Sequence, residues 1–165
     1  MATLSVWRFD SPQGADMALE TLQGLQKQEL VTVHDAATVS WYPQDRKPRT
    51  HQAHKLARGG ALGGGFWGLL FGLIFFVPFL GAAVGATFGA LAGAMRDVGI
   101  DDDFIEQVRA QVTPGTSALF VLTSGAVVDK VHAAFAGQRP QLLTTNLSAA
   151  EEERLRTAFS DEALV

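Results

Sequence analysis

The order of apolar patterns predicts an α+β chain: a ferredoxin-like βαββαβ sandwich, a glycine-rich helical hairpin inserted between its second and third strands, and a C-terminal helix. Three observations carry this prediction. Two β-α-β patterns lie at the two ends of the chain. Between them, residues 59–94 form a run of 36 positions without a charged side chain, and this run holds 11 of the 17 glycines. A Ser-Ala-Ala-Glu box at 148–151 opens a last helical pattern.

Residues 4–9, LSVWRF, alternate from one side to the other as a strand does. SPQG is a turn. Residues 15–29 place Ala15, Ala18, Leu19, Leu22 and Leu25 at helical spacing, which predicts an amphipathic helix. Residues 30–42, LVTVHDAATVSWY, are rich in β-branched side chains and read as a strand, bent near 35–37 and ended by Pro43. After the apolar run, Gly99 suits a helix C-cap, and Asp101–Asp103 suit the start of a helix over 103–112. Pro114-Gly115 is the centre of a turn. Residues 117–123, SALFVLT, are continuously apolar, so this strand belongs in mid-sheet with both faces covered. A helix over 126–137 and a strand over 141–147 complete the second unit, and the final helix reaches about residue 159. The implied division is 1–42 and 113–165 as the ferredoxin-like domain, 43–58 as a basic connector, 59–95 as the hairpin, and 96–112 as the helix returning to the domain. Such a sheet carries helices on one face; the terminal helix or a second subunit is expected to cover the other. The domain is expected to fold without its insertion.

Glycine is a poor helix former, costing about 1 kcal/mol per position relative to alanine. Yet Gly81, Gly85, Gly89 and Gly93 recur every fourth residue, each followed by alanine, and Gly60, Gly64, Gly68 and Gly72 recur at the same spacing before Pro78. A spacing of four sets the glycines along one helix face, where a second backbone can approach closely. The expected arrangement is two arms zipped glycine to glycine, with Phe66, Trp67, Leu70, Phe71, Leu73, Ile74, Phe88 and Leu91 turned outward. Those side chains need a bilayer or the interior of an oligomer around them. The arms are short: about 27 Å and 24 Å of helix against roughly 30 Å of hydrocarbon. Lys55, Arg58 and Arg96 flank the run, which places both ends in the cytoplasm. The expected hairpin enters the cytoplasmic membrane from that side and barely spans or re-enters. The alternative is an ordinary buried helical pair in a cytoplasmic protein.

The stretch GAAVGATFGALAGAMRDVGIDDDFI, followed by PGTSALFVL, resembles a widespread prokaryotic family of predicted membrane proteins that carries a domain-of-unknown-function label. The resemblance runs from the VWRF strand to the terminal helix. It implies a ferredoxin-like domain with a glycine-rich insertion, and it brings no activity or catalytic residue.

Chemistry-bearing constellations are few. The net charge of −4 and pI near 5.5 do not describe a polyanion binder. No cysteine is present, which excludes disulfides and thiolate metal sites. The N-terminus has no secretory signal pattern. His51 and His54 stand three apart without an acidic or thiol ligand nearby, and read as linker residues. His34 and His132 read as surface or packing residues. Asp101–Asp103 read as capping residues, lacking the spacing of a calcium loop. GGALGGGFWG lacks the Lys-Ser/Thr of a phosphate loop. Arg46, Lys47, Arg49, Lys55 and Arg58 could meet anionic lipid head groups beside an apolar hairpin; no aromatic platform accompanies them for nucleic acid. No catalytic residue, metal ligand or cofactor is assigned. The expected function is that of a non-enzymatic, membrane-associated homo-oligomer serving anchoring, membrane shaping or pore formation. A soluble homo-oligomer with bundled hairpins, or a small-molecule or metal sensor on an open sheet face, is the alternative.

Overall fold

A computed structural model of the chain describes residues 2–29, 33–52, 67, 70–76, 99–124, 128–138 and 140–147. They form a mixed α+β structure around a five-stranded antiparallel sheet. The elements are β1 (Ala2–Phe9), α1 (Gly14–Lys27), β2 (Val33–Ser40), β3 (Arg49–Gln52), a π-helical turn (Gly72–Phe76), α2 (Asp102–Gln111), β4 (Ser117–Ser124), α3 (Val128–Phe135) and β5 (Gln141–Leu147). The spatial order of strands is β3-β2-β4-β1-β5.

Alternation along the strands sorts the core into two layers. From β1, Trp7 and Phe9 point to one face and Leu4 and Val6 to the other; from β4, Leu119 and Val121 oppose Ala118, Phe120 and Leu122. Both sets are buried, so β4 lies mid-sheet with both faces covered, as its continuous apolar sequence requires. On the first face, Ala15, Ala18, Leu19 and Leu22 of α1 and Val131 and Phe135 of α3 pack against Trp7, Phe9, Val33, Ala36, Leu119 and Val121. Phe135 meets Trp7 edge-on at 5.2 Å.

Among the described residues, the second face is covered by stretches of the chain that lie between β3 and β4. Trp67, Leu70, Phe71, Leu73, Ile74 and Phe75, with Ile100, Phe104, Ile105, Val108 and Val112, share one core with Leu4, Val6, Ala37, Val39, Phe120 and Leu122. Five of the side chains expected to turn outward (Trp67, Leu70, Phe71, Leu73 and Ile74) are therefore buried. The physical reason is supply and demand for apolar surface. The sheet face offers Leu4, Val6, Val39, Phe120 and Leu122, and the apolar side chains of 67–75 leave water by packing on them. Phe66, Phe88 and Leu91 lie outside the described residues.

A second correction concerns 43–58, read as a connector throughout. Arg49–Gln52 forms the edge strand β3 on β2, pairing Ala37 with Gln52 and Ser40 with Arg49. Backbone pairing needs no apolar alternation, so a polar stretch can extend a sheet. The expected bend in the second strand is a register irregularity between Val33 and Asp35. The extra residue sets Val33 and Ala36 on one face despite their odd and even numbers.

Two glycines have visible geometric reasons. Gly115 follows Pro114 with φ +90, as the third position of a type II turn demands, and Thr116 N–H closes the turn on the Thr113 carbonyl at 3.1 Å. A Cβ on Gly14 would stand 2.4 Å from the Cβ of Phe9, so the start of α1 can approach β1 only without a side chain there. The hydroxyl of Ser117 fixes the same junction, accepting from Ala15 N–H at 2.8 Å and donating to the Ser11 carbonyl at 2.7 Å.

Candidate functional site

The described part of the glycine-rich run packs on the second sheet face, and an aromatic series runs through it. Trp67 stacks on Phe71 at 5.8 Å, and both meet Phe120 edge-on, at 6.3 and 5.0 Å. Phe71 is 6.2 Å from Phe75, and Phe75 is 6.2 Å from the half-buried Trp41 at 90°. The series thus runs from the core to the end of β2.

A guanidinium holds this segment down. Arg109, on α2, donates from Nε to the Ile74 carbonyl at 2.8 Å and from a terminal nitrogen to the Leu73 carbonyl at 2.5 Å. Arginine suits this position because its planar fork reaches two acceptors at once. The far end of α2 is also tied. Arg8 Nε donates to the Gln111 carbonyl at 2.6 Å, while the same guanidinium pairs with Asp10 at 2.7 Å.

Beyond Trp41 the chain makes an ordered loop. Trp41 N–H donates to the Thr116 carbonyl at 3.0 Å, and Gly115 N–H donates to the Trp41 carbonyl at 2.7 Å. The indole N–H donates to the Asp45 carbonyl at 3.1 Å, and Asp45 N–H to the Tyr42 carbonyl at 3.0 Å. Arg49 pairs with the Asp45 carboxylate at 3.0 Å and lies 4.8 Å from the centre of the Tyr42 ring. Arg46 and Lys47 are exposed on this loop.

The sequence-predicted residues are distributed as follows. Of the eight glycines, Gly72 is described; it opens the π-helical turn, and among the described residues no atom comes within 4 Å of a Cβ built there. Gly60, Gly64, Gly68, Gly81, Gly85, Gly89 and Gly93 lie outside the described residues. Arg46, Lys47 and Arg49 come together on the loop; Lys55, Arg58 and Arg96 lie outside. Asp101 caps α2 as expected, its carboxylate accepting from Phe104 N–H at 2.9 Å, with Asp102 and Asp103 exposed in the first turn. His51 is exposed on β3, and His132 packs edge-on against Trp7 at 5.7 Å. Among the described residues, no three His, Asp or Glu side chains converge as a metal site would need.

Two residues escaped the sequence reading. One is Arg109, whose pattern is that of any exposed helical arginine. The other is Asp35, wholly buried and opposite Leu122, with Oδ1 accepting from Ala36 N–H at 2.8 Å. A carboxylate inside a β-branched strand was the available signal. Among the described residues, no helix is long and apolar enough to cross a membrane.

The described residues define a class: an α+β fold whose five-stranded antiparallel sheet carries α1 and α3 on one face and α2 with apolar side chains of 67–75 on the other. The family follows from the sequence. Residues 61–160 match the family described as Protein of unknown function (DUF1269), and the chain belongs to it. No curated protein and no solved structure matches the chain.

Proposed function

We propose that the protein is a non-enzymatic, membrane-associated homo-oligomer: a ferredoxin-like domain in the cytoplasm that presents a glycine-rich apolar segment to the bilayer and to copies of itself. The ferredoxin-like reading is supported by the strand order. With edge strand β3 set aside, the remaining four run last-first-third-second, all antiparallel. The observation that carries the membrane reading is the charge-free run 59–94 with its four-residue glycine spacing, flanked by Lys55, Arg58 and Arg96. In this reading Gly60, Gly64, Gly68, Gly72, Gly81, Gly85, Gly89 and Gly93 allow close helix approach. The basic residues meet anionic head groups, and the role is anchoring, membrane shaping or pore formation.

A specific observation favours a second reading, a soluble homo-oligomer. Trp67, Leu70, Phe71, Leu73, Ile74 and Phe75 are buried in the chain's own core, which removes six large side chains from the surface a bilayer would contact. Detergent-free cell fractionation separates the two. Protein in the membrane pellet, released by detergent and not by salt alone, supports the first. Protein in the supernatant as one oligomeric species supports the second and sinks the first.

A further inference from the structure

We infer that the outer edge of β5 is a contact between two copies of this chain, which join strand to strand, antiparallel, into one continuous sheet. The inference rests on the homo-oligomer reading above for the presence of a second copy, and it uses a surface separate from the glycine-rich run. The two edges of the sheet differ. β3 is four residues long, and its Arg49, Thr50 and His51 are exposed. Shortness and charge are the usual means by which an edge strand avoids pairing with another sheet. β5 has seven residues, QLLTTNL, with neither a charged residue nor a proline. It follows β1 in unbroken register, from Gln141 opposite Arg8 to Leu147 opposite Ala2, so no bulge turns this edge away. Among the described residues, no strand pairs with its other side. The N–H and C=O groups on that side form a template for a further strand.

Both core layers also end here. Leu142 packs on the layer that holds Trp7 and Phe135, and Leu143 on the layer that holds Phe104 and Phe120; both leucines remain partly exposed. A strand added to β5 would cover both at once, one on each face. The occupant that fits is β5 of a second copy. A two-fold axis perpendicular to the sheet pairs the strand with itself and continues each core layer into the same layer of the other copy. Opposed residues share a face, so this axis passes through a residue rather than between two. Overlap of all seven residues puts it at Thr144. Leu143 then faces the partner's Thr145, Leu142 the partner's Asn146 and Gln141 the partner's Leu147. No like charges are opposed anywhere along this neutral strand, so it tolerates its own sequence as a neighbour.

The test uses the full chain, which has no cysteine of its own. Directly opposed residues of an antiparallel pair have Cα atoms about 4.5–5.5 Å apart, within the roughly 4.4–6.8 Å that a disulfide spans. Thr144→Cys therefore places two thiols face to face on the axis, and Thr50→Cys places one on the exposed edge strand β3 as a control. In unfractionated lysate treated with copper–phenanthroline, the 144 variant should run on a non-reducing gel at twice the chain's 17.6 kDa, and the control at 17.6 kDa. Thr144→Lys opposes two ammonium groups at the axis, and should halve the mass of the purified assembly by light scattering while the circular dichroism stays unchanged. If that variant does not fold, the cysteine pair decides alone. A multimeric wild-type chain in which position 144 cross-links no better than position 50 would overturn this interface and leave the homo-oligomer reading intact. A monomeric wild-type chain that does not cross-link at 144 would overturn both and leave the β5 edge to another segment or another partner.

Discussion

Deleting the insertion is the sharpest perturbation of this architecture. Consider a variant in which Tyr42 is joined to Thr116 through a short Gly/Ser linker. The joint itself is easy. Trp41 already bonds to Thr116, and Ser40 pairs with Ser117, so the linker closes an existing antiparallel ladder. Any failure to fold therefore comes from what is removed. Leu4, Val6, Val39, Phe120 and Leu122, none more than 3% exposed, would lose their cover on the second sheet face. Burial of each large apolar side chain contributes about 1.5–3 kcal/mol, so these five lose roughly 7–15 kcal/mol. That equals the whole stability of an ordinary domain, about 5–15 kcal/mol. The variant should show no cooperative transition by circular dichroism on heating or in urea, and should bind a hydrophobic dye or aggregate. A soluble monomer with a sharp melt would refute the reasoning. It would show that the sheet and its α1–α3 layer form an independent unit, as the sequence alone suggests.

Arg109→Met keeps the apolar stem and removes the fork on the Leu73 and Ile74 carbonyls. Hydrogen bonds to a charged group contribute about 1.5–3 kcal/mol each, so a loss of several kcal/mol is expected in urea titration, and Arg109→Lys should recover only part of it. Asp101→Ala should cost about 0.5–2 kcal/mol through the lost cap on Phe104, and Asp101→Asn should restore most of it. Gly85→Leu and Gly89→Leu test the glycine spacing. Leucine is the better helix former, yet at a close-packed helix face it should cost roughly 1–3 kcal/mol per site and lower the oligomer's melting temperature, while Thr87→Leu is tolerated. Equal tolerance at all three positions would leave the spacing without a packing role.

What could be read from the sequence follows from where each signal resides. The alternation of LSVWRF and the unbroken apolarity of SALFVLT are local consequences of burial on one or both faces, and both strands lie where these patterns put them. Asp101 three residues before Phe104 is likewise a local capping signal. The strand at Arg49–Gln52 is not local. RTHQ has no apolar alternation, and its conformation comes from the ladder that β2 offers it. The destination of Trp67, Leu70, Phe71, Leu73, Ile74 and Phe75 is not local either. Periodicity says that these side chains need an apolar environment and cannot say which one. An accounting of sheet faces could have pointed to it, since Leu4, Val6, Phe120 and Leu122 need a cover and α1 and α3 lie on the other side. Arg109 acts on two carbonyls far away in sequence, and no composition or spacing encodes that.

The central claim is that this α+β chain meets a lipid bilayer. The most direct measurement is flotation of the purified, detergent-free full chain through a density gradient with vesicles, anionic in one tube and zwitterionic in the other. The account predicts that the protein rises with the anionic vesicles, and more at low salt than at high salt. Protein that stays at the bottom of both tubes as a single oligomeric species would contradict it and leave the soluble assembly in its place.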